Sequence, residues 1–266
     1  MVRDGLLVTA VGAMSPQELA PLLDKAFAGL PASSDLTDVD DVDVADPIAE
    51  PIVVDLPQPQ SLVRFVGPAM ARDDADFFPA YVLNYTFGGG GFESRLMKTL
   101  RVEQGLTYGI YTGISTSDHL NLWTGGGQTK NESVGDFMAG IDEEMTMIAE
   151  GGITEEELSD AKAYLTGSYL LGFDSNSKIA NNMMSVRLED LGVDYFDRRN
   201  AMVEAVTLDD VNRVAATYLK PENFTFVVVG QPEGLPPDSA TSNDDGDVSL
   251  EDAGDEEQDD ELEADE

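Results

Sequence analysis

The chain has 266 residues, 42% of them hydrophobic, with one histidine, no cysteine and a formal charge of −37 from 52 acids against 15 bases. That apolar fraction fills a real core, while the charge repels nucleic acid and anionic membrane surfaces, and no apolar run reaches the roughly 18 residues that span a bilayer. The missing cysteines exclude disulfides, thiolate metal sites and cysteine nucleophiles together.

A catalytic zinc is excluded on this chain by the same count. Such a site needs about three protein ligands, usually including two or three histidines. Here His119 stands alone, without a carboxylate cluster at helical spacing around it. It lies in Ser117-Asp118-His119, between two strand-like runs, and reads as an exposed hairpin-turn residue. The start, Met1 to Val8, lacks the basic region, long apolar core and cleavage site of a signal peptide, so cytoplasm and periplasm both stay open.

In chain order, a strand is expected over Leu6 to Val11. Ser15-Pro16-Gln17-Glu18 then opens a helix with a capping box, which carries Leu19, Leu22, Leu23, Ala26 and Phe27 to about Leu30. From Ala32 to Glu50, aspartates alternate with small residues, the pattern of a linker. Strands follow at Ile52 to Asp55 and Ser61 to Val66, then a helix from about Asp74 to Phe87, the run Gly88-Gly89-Gly90-Gly91, and a helix from Glu93 to about Val102. Phe92, Leu96 and Leu100 form its apolar face.

Two alternating runs, Thr107 to Ser115 and Leu120 to Gln128, predict an antiparallel hairpin. Gly125-Gly126-Gly127 in the second either lets a peptide add along a strand edge or only ends the strand. Asn131 is placed to cap a helix bearing Val134, Phe137, Met138, Ile141, Met145 and Ile148. Gly151-Gly152 ends that helix, and Thr154-Glu155-Glu156-Glu157 is the capping box of the next. Helices over about 177–191 and 195–205, one opened by Thr207, and a strand at Phe224 to Val229 complete the body. The expected fold is α+β, a largely antiparallel sheet with helices packed on one face.

Phe224 to Pro232 repeats the pattern of Leu6 to Gly12, which implies two similar halves. On that reading residues 1–31 are the tail of a preceding homologous half, 32–50 an acidic linker, and 51–237 the main domain. The last 29 residues, 238–266, hold 15 acids and no base and are expected to be disordered. The remaining 37 acids still outnumber the 15 bases. This acidity fits either a saline habitat or a merely soluble surface.

The stretch Gly88-Gly89-Gly90-Gly91-Phe92-Glu93-Ser94-Arg95-Leu96, followed by Leu100-Arg101 and Gly105-Leu106-Thr107-Tyr108, closely resembles the substrate-binding half of the pitrilysin/insulinase-type (M16) zinc peptidases, mitochondrial processing peptidase included. The resemblance runs over about residues 5–31 and 51–235 and lacks the His-x-x-Glu-His zinc motif. It implies an M16/LuxS-like metallohydrolase-type half in which Arg101 binds a substrate carbonyl or carboxylate and Tyr108 hydrogen-bonds the scissile carbonyl. It also implies that Gly88, Gly89, Gly90, Gly91 and Phe92 form a flexible loop that contacts extended peptide. Zinc is then expected on a partner subunit or a missing amino-terminal half, and this chain binds no cofactor itself. Nucleic acid and membrane are not expected partners. The rival reading is a structural protein that keeps the fold without a peptidase role.

Overall fold

The structure, a computed structural model, describes residues 2–33, 39–40, 42 and 44–235. The expected acidic tail therefore lies outside the described residues, as does part of the linker. Apolar alternation builds the sheet: β1 (Ile52–Asp55), β2 (Gln60–Pro68), β3 (Thr107–Ser115), β4 (Leu122–Lys130) and β5 (Thr225–Gly230). Their order is β1-β5-β2-β4-β3, and only β1 with β5 is parallel.

In β2, Ser61, Val63, Phe65 and Gly67 are buried, and the residues between them face the open side. The helices cover the buried face alone. α2 (Phe77–Asn84), α3 (Val134–Gly151) and α7 (Leu208–Tyr218) pack together, and Phe137, Ile141 and Val214 share one core with Val63, Phe65 and Trp123. This is the expected α+β layout. α4 (Glu155–Gly167), α5 (Asn176–Leu188) and α6 (Tyr195–Ala205) extend that layer.

Several local readings hold. Ser15 and Glu18 form the capping box of α1 (Pro16–Phe27), Thr154 and Glu157 that of α4, and Thr207 and Asp210 that of α7. Others are corrected. Leu6 to Val11 joins no ladder, because no described strand lies beside it, and Leu7 and Val8 are exposed. Asn131 caps nothing: its amide accepts from the Ser61 hydroxyl at 2.7 Å and donates to the Gln58 carbonyl at 3.0 Å. α3 starts behind Ser133 without a side-chain cap.

The triple glycine is neither an edge nor a strand end. β4 is paired on both sides, and a Cβ on Gly125 would lie 2.1 Å from the Phe65 ring, so this position is glycine to admit that ring. His119 is half-buried rather than exposed, and its carbonyl accepts from the Val42 N–H at 2.9 Å, which draws part of the linker onto the β3–β4 connection.

Candidate substrate-binding site

Leu96, Met97 and Leu100 are fully buried and anchor the segment that carries Arg101. Expected as an ordinary helix, it is a π-helix from Met97 to Glu103, and it ends at Gly105, whose φ of 66° suits a residue without Cβ. β3 starts at once. Thr107 pairs with Thr129 and Ile110 with Gly127, so β3 holds one residue more than β4 across this stretch.

Such a bulge re-aims a side chain. The Thr107 hydroxyl pins it, accepting the Gly109 N–H at 3.1 Å and donating to the Gln128 carbonyl at 2.6 Å. Tyr108 is 84% exposed as a result. A role for Tyr108 in filling the core edge is thereby excluded.

Arg101 and Tyr108 line the same groove, of about 360 Å³, together with Gln60, Gln128 and Lys130. A second groove of about 330 Å³ shares Gln60, Thr107, Tyr108 and Gln128 and continues across the open sheet face to Tyr111 and Arg64. The Arg101 guanidinium makes no ion pair with Glu103. It stacks 4.2 Å from the Phe92 ring centroid, an attraction of about 0.5–1 kcal/mol at an exposed site. Phe92 is thus 57% exposed and belongs to the rim, not to the buried face of its helix.

The glycines have a different part. Gly88 to Gly91 line neither groove. α2 runs on as a π-turn, Tyr85–Gly89, and a Cβ on Gly88 would meet the Thr112 side chain at 2.6 Å, one on Gly89 the Asn84 amide at 2.5 Å. Asn84 is fixed by the Trp123 indole N–H at 3.0 Å and the Thr112 hydroxyl at 2.8 Å. Close packing accounts for Gly88 and Gly89, whereas Gly91 has open space around it and a φ of 58° that suits a residue without Cβ.

Arg95 ties its segment to the start of α4, a contact that the sequence does not reveal. Its guanidinium grips Glu157 through two bonds of 2.7 and 2.8 Å, and Glu157 also accepts the Thr154 N–H at the start of α4. Burial raises the Glu157 carboxyl, but the Arg95 fork and the Thr154 N–H outweigh it and hold it at about 2, against an ordinary 4.5. A depressed carboxylate stabilises the fold above its unfolded pKa and loses that contribution as pH falls from about 4.5 toward 2. Glu157→Gln is expected to cost about 2 kcal/mol near neutral pH, allowing for partial exposure, and almost nothing near pH 2. Urea unfolding of both proteins across that range checks this; a pH-independent gap would contradict it.

Among the described residues no three of His, Asp and Glu come together as a metal site. The single histidine and absent cysteines do not fit a zinc centre.

The model of the peptidase M16 inactive domain matches residues 3–165. This chain belongs to that family. Its M16 relatives include the non-peptidase homolog YmxG of Helicobacter pylori, 28% identical over 171 residues, which are 64% of this chain and 39% of that protein. An uncharacterized zinc protease of Streptomyces coelicolor is 32% identical over 155 residues, 57% of this chain and 33% of that one. Among solved structures, a peptidase M16 inactive domain from Pseudomonas fluorescens aligns with a TM-score of 0.73 and 25% identity, covering 85% of this chain and 54% of that one. The chain therefore spans well under half the length of these two sequence relatives.

Proposed function

We propose that this M16 inactive domain supplies the peptide-binding wall of a zinc peptidase whose metal sits on a separate chain or on a preceding homologous half. The observation that carries the reading is that Arg101 and Tyr108 open into one groove, Tyr108 outside the core and Arg101 without a described carboxylate partner. The guanidinium fork suits a substrate carbonyl or carboxylate, and the phenol is a donor for the scissile carbonyl oxygen as it turns tetrahedral. Phe92 would flank the peptide beside Arg101, while the glycine run sets the backbone behind it.

Unpacked apolar residues near the start of the chain support pairing with such a half. α1 has no buried residue, although Leu19, Leu22, Leu23 and Phe27 lie along it, and Leu7 and Val8 are exposed just before it. We propose that residues 1–31 belong with that half, joined by 32–50 to the domain at 51–237. A structural role without peptidase work is the second reading, favoured by the non-peptidase name of the Helicobacter relative. Reconstitution with a zinc-bearing M16 half decides between them: peptide hydrolysis that depends on this chain supports the proposal, and unchanged hydrolysis supports the structural role.

A further inference from the structure

We infer that the open-face groove selects extended peptide segments carrying carboxylate side chains. The inference rests on the groove being the peptide site, as proposed above, and names the class of peptide it takes. No described Asp or Glu lines either of the two adjoining grooves, whereas Arg64, Arg101 and Lys130 do. In a chain with 52 acids and 15 bases that is a reversal of sign. A groove beside α5 and α6, by contrast, carries five carboxylates against two arginines.

The sheet builds the arrangement. Tyr111 pairs with Gly126 and Gly126 with Arg64, so a residue without a side chain separates the ring from the guanidinium stem. A Cβ on Gly126 would come within 2.8 Å of the Arg64 Cδ, which places that stem across the glycine. The result is a trough floored by backbone, walled by Tyr111 and Arg64, and leading to Tyr108 and Arg101. Arg64 is exposed and forms no ion pair with a described residue, and Lys130 meets Glu132 only at 3.5 Å on the surface. An acidic body repels anionic peptides at a distance, so only a locally positive trough admits them, and its attraction weakens with salt.

Such carboxylates have two sources, a substrate and the chain's own residues 238–266, and the test separates them. Fluorescently labelled ten-residue peptides, one with three Glu and one with Gln in their place, are titrated into the full chain and into a version whose 15 tail acids are amides. The Glu peptide is expected to bind about tenfold tighter than the Gln peptide, in line with one or two charge-assisted contacts, and to lose that margin at high salt. The double variant Arg64→Gln, Arg101→Gln should abolish the margin with its circular dichroism spectrum unchanged. Tighter Glu-peptide binding to the amidated version would show the tail competing for the same cations, which supports the specificity. Equal binding of both peptides to wild-type protein overturns the acidic preference and leaves the peptide groove standing; binding of neither, in either version, removes both.

Discussion

Tyr108→Phe is expected to lower peptide turnover about 100-fold in a complex with a zinc-bearing M16 half, the scale of losing one preorganised donor to a developing oxyanion. The side chain is 84% exposed, so removing one hydroxyl disturbs no packing and the fold and the assembly should survive intact. The loss should fall on kcat and kcat/KM alike, because the bond is made only as the carbonyl becomes tetrahedral. Steady-state kinetics of the two complexes check this. An unchanged kcat would show that the phenol touches no reacting atom.

Gly125→Ala is expected to destabilise the protein by about 3 kcal/mol, lowering Tm by roughly 10 °C for a domain of this size. The new Cβ would sit 2.1 Å from the Phe65 ring, which is 1% exposed and cannot swing away because Phe224 and Phe226 pack against it at 5.9 and 5.6 Å. Phe65→Leu in the same chain should restore part of the loss, since the two changes act on one contact. Thermal unfolding of the single and double variants measures both effects. A shift below about 2 °C in the single variant would mean that the ring has room to move.

These two residues also mark how far the sequence could be read. Alternation in Ser61 to Val66 and Phe224 to Val229, with the Ser15, Thr154 and Thr207 capping boxes, located strands and helices because those signals are local. The role of Gly125 was hidden because its reason is Phe65, 60 positions earlier and one strand away. Leu6 to Val11 has strand composition, but a strand exists only where a partner strand pairs with it, and pairing is not a property of the segment. Asn131 has a capping side chain that long-range partners, Ser61 and Gln58, claim instead.

The groove shows the same division. Arg101 and Tyr108 stand out in the sequence through the resemblance of their stretch to the M16 peptidases, but the bulge that turns Tyr108 outward depends on the pairing of Thr107 with Thr129. Arg64 and Tyr111 carried no signal at all. They become neighbours across Gly126 only in the folded sheet, and the sign of the groove emerges only when the surrounding acids are seen to lie elsewhere.

The most direct measurement is hydrolysis of an unstructured peptide by a zinc-bearing M16 half, assayed alone and with this chain added in increasing amounts. Little activity is expected from either component alone, with a rise that saturates at one chain per zinc-bearing half and no rise when the added chain carries Arg101→Ala and Tyr108→Phe together. Full activity of the zinc-bearing half alone, or equal stimulation by the wild-type and doubly substituted chains, would contradict the proposed role.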